Sequence, residues 1–247
     1  MAILFIVRAP NHPRADDVRA ALTATLADPE PGARHAAAVA LGMRQPYPKA
    51  ILPALIEAAG DADPMVRAWA VSALGSALDD EGVWSTVLGA TRDRDISVRN
   101  QAIRVLGWKP QPARLAAVRE ALAPALKELN KVDRGFAAYT LGCYAQLVPV
   151  DVPELYDALS DPNPYVRRMA CESLPHRPGA RQAVPILVRS LSDLAPKVRR
   201  AAAWRLGSIG LDAEAALIDL RRAIEDKGRD GPRRRLRGPP TDRVPGE

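Results

Sequence analysis

Arginine and acidic residues recur along this chain at a fixed spacing, as they would in a catalytic or phosphate-binding array. Each arginine follows an acid by six residues, and the pairs are Asp28–Arg34, Asp61–Arg67, Asp93–Arg99, Glu128–Arg134, Asp161–Arg167 and Asp193–Arg199. An alanine follows each arginine by three residues and a leucine by seven, which places the arginine near the apolar side of a helix. The pattern therefore favours structural ion pairs, within one copy or between adjacent copies, because a guanidinium suits a carboxylate.

Glu172 and His176 are a second candidate for chemistry, because residues four apart share one helical face. A carboxylate and an imidazole placed in this way can transfer protons or bind a metal. Pro175 lies between them and is predicted to end the helix, so we expect no working pair. Cys143 and Cys171 stand in no paired motif and are interpreted as buried, reduced thiols. The sequence thus predicts neither a metal nor another cofactor.

The position five residues after each arginine points away from the core and supplies a third candidate. From the third copy to the sixth, this position and its neighbours carry aromatic and charged side chains. The predicted binding residues are Trp69, Arg104, Trp108, Tyr139, Arg168, Glu172, His176, Arg200 and Trp204. Tryptophan and arginine dominate the energetics of protein interfaces, so these residues predict a binding face. The alternative is that the rings only pack against neighbouring helices.

The elements that position these side chains are predicted from the residues around each arginine. Asp63, Asp95, Asn130 and Asn163 stand where a helix N-cap belongs. The glycines eight residues after the arginines are predicted to cap the helix C-termini, and these are Gly42, Gly75, Gly107, Gly142 and Gly207. Another helix precedes each copy, at roughly 15–27, 48–59, 80–90, 111–129, 151–159 and 178–192, and a last one is expected at roughly 212–226.

The fourth copy departs from the common pattern. Asp133 stands directly before its arginine, where most copies carry an apolar residue. A functional site and neutral drift both explain such a departure, and the sequence does not choose between them.

The repeated unit is best kept in DADPMVRAWAVSALG, residues 61–75. It resembles the HEAT repeat, in the short form called the PBS-lyase HEAT-like repeat, over about residues 14–226. The resemblance implies an all-α fold, a right-handed α-solenoid of six helix pairs with a C-terminal capping helix. In such solenoids the second helix of each pair lines a concave surface. Residues 1–13 are predicted to be a lead segment that precedes the solenoid.

Charge is concentrated at the C-terminus. The chain has a net charge of +6, and seven basic and only three acidic residues lie within residues 227–247. This stretch is rich in Gly, Pro and Arg and is predicted to be a disordered basic tail. The near-neutral remainder argues against nucleic-acid binding, which needs concentrated basic residues. Because neither a signal peptide nor a membrane span is recognisable, we expect a cytoplasmic protein.

The sequence predicts a non-catalytic interaction scaffold that binds a protein or peptide partner through the concave face. The alternative is nucleic-acid binding, with activity similar to that of the HEAT-like alkylpurine DNA glycosylases. Their concave-face residues have counterparts in kind in Trp108, Tyr139, Glu172 and Trp204. Bilin lyase activity is suggested by the family name alone. A di-iron hydroxylase is excluded because the chain lacks His-Glu pairs, and GxGxxG, GxxxxGK and GxSxG motifs are also absent.

Overall fold

The computed structural model describes residues 15–42, 49–128, 130–148, 152–174 and 183–209. All regular secondary structure within these ranges is helical, which confirms the predicted all-α fold. The lead segment 1–13, the capping helix at 212–226 and the basic tail 227–247 lie outside the described residues, as does His176. The chain divides into two compact units, residues 1–175 and residues 176–247.

The first unit contains five helix pairs. Its first helices are α1 (Ala15–Thr25), α3 (Leu52–Ala58), α5 (Glu81–Ala90), α7 (Leu115–Lys127) and α9 (Pro153–Ala158). Its second helices are α2 (Pro31–Gly42), α4 (Pro64–Leu74), α6 (Ile96–Leu106), α8 (Lys131–Ala145) and α10 (Pro164–Ser173). Each second helix packs against its own first helix, and successive second helices from α2 to α10 pack against one another. The described residues of the second unit form one pair, α11 (Ala183–Ser190) and α12 (Pro196–Ile209).

The second helices begin as the sequence predicts. Asp63, Asp95, Asn130 and Asn163 each accept a hydrogen bond from the backbone N–H two residues later, at 2.7–2.9 Å. These bonds satisfy donors that have no partner inside the helix. Proline occupies the first helical position of α2, α4, α10 and α12, where its missing N–H costs nothing.

The repeated arginines join each pair to the next one. Arg67 donates from Nε and Nη2 to the two carboxylate oxygens of Asp93, both at 2.8 Å. Its Nη1 donates to the carbonyl of Asp61, at the start of its own copy, at 2.8 Å. Two further ion pairs share this arrangement, Arg34–Asp61 and Arg134–Asp161. Each such arginine–acid pair is here called a rung, and the series of rungs is called the ladder. The predicted ion pairs are therefore confirmed, and each of these three runs between adjacent copies.

The rungs also fix the charge of their carboxylates. The hydrogen bond from Arg34 holds the pKa of Asp61 below its ordinary value, although burial opposes it. Burial likewise works to raise the pKa of Asp93, but the hydrogen bonds from Arg67 and from the backbone of Asp95 outweigh it and lower that pKa. Both residues are therefore carboxylates near neutral pH.

One rung differs from the others, and it involves the residue that breaks the sequence pattern. Arg99 donates to Asp133 through Nη2 alone, at 3.1 Å, and no ion pair joins it to Glu128, which occupies the usual acid position. Asp133 is completely buried, and its Oδ1 and the Nε of Arg99 have no hydrogen-bond partner among the described residues. The unusual acid is thus a displaced member of the ladder.

The glycines after the arginines end helices in only some copies. Gly75 and Gly107 are the C-cap residues of α4 and α6, as predicted, and Gly42 is the last residue of α2, whereas Gly142 and Gly207 lie inside α8 and α12. A Cβ added to Gly142 would lie 2.2 Å from the Cβ and 2.4 Å from the carbonyl oxygen of Ser173 in the next second helix. The missing side chain therefore permits close packing of successive second helices.

Candidate binding surface

Interhelical hydrogen bonds align three of the predicted binding residues along the first unit. Thr140 Oγ1 donates to the carbonyl of Ile103 at 2.7 Å, and Ser173 Oγ donates to that of Ala138 at 3.3 Å. Arg104, Tyr139 and Glu172 each stand directly beside a residue of these bonds. They therefore form one row across α6, α8 and α10. With Trp108 and Arg168, they are here called the second-helix face.

Trp108 is held in a defined position although it is exposed. Its ring covers Gly75, where an added Cβ would lie 2.6 Å from ring carbons Cε3 and Cζ3. The guanidinium carbon of Arg104 lies 5.9 Å from the ring centroid, within the range of a cation–π contact. The side chain of Trp108 remains 44% exposed and that of Tyr139 remains 42% exposed. Two aromatic side chains thus offer open surface, Trp108 in the turn after α6 and Tyr139 on α8.

Arg168 and Glu172 form an ion pair at the end of the row. Arg168 Nη1 donates to both carboxylate oxygens, at 2.6 and 2.7 Å, and its guanidinium carbon lies 5.4 Å from the ring centroid of Tyr165. Burial raises the pKa of Tyr165, so the phenol stays neutral. Because Arg168 already holds both oxygens of Glu172, this carboxylate is poorly placed to act as a general base. Helix α10 ends at Ser173, before Pro175, as the sequence predicts.

Trp69 and the residues of the second unit are placed differently. Trp69 is half-buried, and its ring packs near Gly42 and lies 6.4 Å from the ring of His35, so it fills space between α2 and α4. In the second unit, α12 exposes Arg200 and leaves Trp204 63% exposed. The guanidinium carbon of Arg205 lies 5.0 Å from the Trp204 ring centroid. This helix therefore presents its own exposed tryptophan beside arginine.

Sequence reasoning missed two contributors to the second-helix face. Lys109 follows Trp108, is exposed, and donates from Nζ to the carbonyl of Ser76 at 3.0 Å. Tyr165 supports Arg168 and covers Gly135, where an added Cβ would lie 2.4 Å from the tyrosine ring. The signal was present in the sequence, because an aromatic residue near an arginine recurs where the facing helix carries a glycine.

Two cavities of the first unit lie beside the ladder. One of about 510 Å³ adjoins Arg34 and Asp61 between α1 and α3. Another of about 370 Å³ adjoins Arg134 and Asp161 between α7 and α9. Both contain rung residues that are already paired, and neither includes a residue of the second-helix face.

The described part of the chain holds no cluster of three or more histidine, cysteine or acidic side chains that could bind a metal. Cys171 is buried and Cys143 is half-buried. No helix among the described residues combines the length and the apolar character needed to cross a membrane.

The model of the family described as HEAT repeats matches residues 18–107, 52–142 and 152–237. The chain belongs to the HEAT-repeat family. No curated protein matches it in sequence. Among solved structures, this HEAT-repeat chain is similar to the complex of CpcE and CpcF of phycocyanin lyase from Nostoc sp. PCC7120. The identity is 22% and the TM-score 0.57, over 89% of this chain and 91% of the other.

Two further structures share the fold. The karyopherin Kap95p, in a structure with RanGDP, is 15% identical with a TM-score of 0.61, over 93% of this chain and 37% of its own. A designed armadillo repeat protein in complex with the peptide (KR)4 is 15% identical with a TM-score of 0.50, over 85% of this chain and 98% of its own. At these identities the likeness establishes a HEAT or armadillo solenoid fold and nothing finer.

Proposed function

We propose that this HEAT-repeat protein is a non-catalytic interaction module whose second-helix face binds a protein or peptide partner. The observation that carries the proposal is the exposure of Trp108, in the turn after α6, and of Tyr139, on α8, together with the exposed Arg104. Exposed aromatic rings and arginine give large contact area at a low cost in side-chain entropy, and they are the usual anchors of protein interfaces. We infer a cytoplasmic location as part of the same proposal.

The rigidity of the face supports this role. Gly75 fixes the plane of the Trp108 ring, and the Thr140–Ile103 hydrogen bond fixes α8 against α6. Binding groups that are ordered before association lose little entropy on binding, so more of the contact energy appears as affinity. Each of the three similar structures is an assembly, of CpcE with CpcF, of Kap95p with RanGDP or of a designed armadillo repeat protein with a peptide. Assembly is thus a common use of the fold.

Nucleic-acid binding with glycosylase-like chemistry is the alternative. Aromatic side chains can stack on bases, and Arg104 could contact a phosphate. Specific binding to nucleic acid draws on many basic residues, whereas this face offers Arg104 and Lys109, and Arg168 is engaged by Glu172. The occupied carboxylate of Glu172 also disfavours the catalytic role that a glycosylase would require of it.

A selection from a random-peptide phage library on the immobilised full-length chain tests the proposal. The enriched peptides should bind the native chain and lose about tenfold or more in affinity towards the double variant Trp108→Ala, Tyr139→Ala. Leu194→Ala is the matched control, because Leu194 is 95% exposed in the turn before α12 and lies off the second-helix face. Equal binding to the native chain and to the double variant would refute the proposal.

A further inference from the structure

Acidic residues are distributed unevenly between the two helices of each pair in the first unit. The second helices α2, α4, α6, α8 and α10 contain only two acids, Asp133 and Glu172. Asp133 is completely buried against Arg99, and Glu172 is held by Arg168. The first helices carry the remaining helical acids, which are Asp16, Asp17, Glu57, Glu81, Glu120, Glu154 and Asp157. The second helices of this unit therefore present no unpaired carboxylate.

The exposed cations on this side are not neutralised in the same way. Arg104 is exposed and donates through Nη2 to the amide oxygen of Gln101, and no ion pair joins it to any acid among the described residues. Its Nε and Nη1 remain available as donors. Lys109 lies one residue beyond Trp108 and bonds only a backbone carbonyl. Positive charge therefore flanks the exposed tryptophan on both sides along the chain.

The geometry points to a partner segment that is acidic and carries an apolar or aromatic residue. Its carboxylate would accept hydrogen bonds from Arg104, and its apolar residue would cover the Trp108 ring. This inference rests on the proposed function and specifies the chemistry of the partner. Charge-assisted hydrogen bonds to a guanidinium are stronger than neutral ones, and a basic segment would meet Arg104 and Lys109 with no unpaired acid on the second helices to offset them. An acidic segment is thus favoured both because the face attracts it and because the face repels a basic segment.

Because the arginines of the ladder are already paired, the preference for an acidic partner comes from the second-helix face. Rung arginines such as Arg67 are held by carboxylates and backbone carbonyls, and the unpartnered Nε of Arg99 is buried, so they offer little to a ligand. In α6 and the turn that follows it, the exposed positive charge is accordingly concentrated at Arg104 and Lys109. Reversal of this charge should reverse the preference of the face.

The test uses three fluorescein-labelled peptides of equal length, built from Asp-Tyr, Gln-Tyr or Lys-Tyr repeats, with the full-length chain and anisotropy detection. We expect the Asp-Tyr peptide to bind about tenfold more tightly than the Gln-Tyr peptide, and the Lys-Tyr peptide to bind most weakly. The double variant Arg104→Glu, Lys109→Glu should favour the Lys-Tyr peptide. Binding of the acidic peptide through the basic stretch 227–247 would not respond to this variant, so an unchanged preference overturns the inference.

Trp108→Ala separates failure of this inference from failure of the proposed function. If the Gln-Tyr peptide loses affinity with Trp108→Ala while the Asp-Tyr peptide shows no advantage, the face binds peptides but the acidic preference is wrong. If Trp108→Ala affects none of the three peptides, both proposals fall. Displacement of bound Asp-Tyr peptide by single-stranded oligothymidylate, with a steep salt dependence that Arg104→Glu removes, would assign the face to nucleic acid instead.

Discussion

Arginine serves two purposes on the two sides of the first unit. On the ladder, Arg67 is 5% exposed, and its guanidinium bonds two carboxylate oxygens and backbone carbonyls. On the second-helix face, Arg104 projects into solvent and contacts Gln101 and the Trp108 ring. Both lie on equivalent second helices, five residues apart in the repeat. The difference shows that the surroundings of an arginine, more than its type, separate a structural group from one that is available for binding.

The largest expected effect breaks a rung. Arg67→Ala should lower the free energy of unfolding by about 3 kcal/mol, because it leaves Asp93 partly buried without its cation. Arg104→Ala is the matched control and should change stability by no more than about 0.5 kcal/mol, because it removes an exposed side chain. Urea denaturation followed by circular dichroism measures both. Similar losses of stability for Arg67→Ala and Arg104→Ala would show that the ladder arginine and the exposed arginine do not differ in structural role.

The next effect tests the close approach of the second helices. Gly142→Ala should cost about 2 kcal/mol, because the new Cβ meets the backbone and side chain of Ser173. Gly207→Ala occupies the same position of the repeat in α12, where an added Cβ has no atom within 4 Å. With no described residue in the way, this substitution should stabilise the chain by about 0.5 kcal/mol, because alanine favours a helix more than glycine does. Thermal unfolding would contradict the packing role if both substitutions stabilised the chain.

A smaller effect compares the displaced rung with an ordinary one. Asp133→Val should change stability by less than about 1 kcal/mol, because removal of a buried carboxylate with an unpaired oxygen offsets the loss of its single bond to Arg99. Asp161→Ala should lower the free energy of unfolding by about 2 kcal/mol, because it removes both hydrogen bonds that Arg134 donates to Asp161 and the one from the backbone N–H of Asn163. A larger loss at Asp133 than at Asp161, measured in urea, would show that the displaced rung is the stronger one.

The smallest effect is the contribution of one rung to acid sensitivity. The pKa of Asp61 is lower in the folded chain than in the unfolded one, so its stabilisation is present above the unfolded pKa and is lost as the pH falls through the folded value. The native chain should therefore lose more stability between about pH 5 and pH 3 than Asp61→Asn does. Denaturation at a series of pH values measures the two slopes, and equal slopes would remove Asp61 from the acid response.

The repeat pattern predicted most of the fold, because the ladder and the caps are local and recur. Asp63 caps the helix that begins at the next residue. The separation of Arg67 from Asp93 follows from the repeat length, because Asp93 is the turn acid of the next copy. Gly142 was misinterpreted as a cap because a glycine after a leucine is typical of a helix end, whereas its decisive contact is with Ser173 in the next copy. Only the packed helices reveal that neighbour.

The face was predicted in part for the same reason. The alternation of arginine and aromatic residues identified Arg104 and Trp108, both exposed in the structure. Trp69 has the same residue type but is half-buried near His35, because the preceding helix leaves room for its ring. The partner of Asp133 also depends on tertiary contacts, since Arg99 turns away from the acid at the usual position. In the sequence, a buried acid signals only that some cation must lie nearby.

The displaced rung has a consequence for how the repeats could be exchanged in evolution or design. In an ordinary copy, the arginine pairs with the acid in the turn of the next copy, and the acid in its own turn pairs with the arginine of the previous copy. Such copies are interchangeable, so an array could grow by duplication. The fourth copy carries its acid inside the helix, at Asp133, and depends on Arg99 of the third. Moved to the front of an array, it would bury a charge with no counterpart. The third and fourth copies should therefore be duplicated or deleted together.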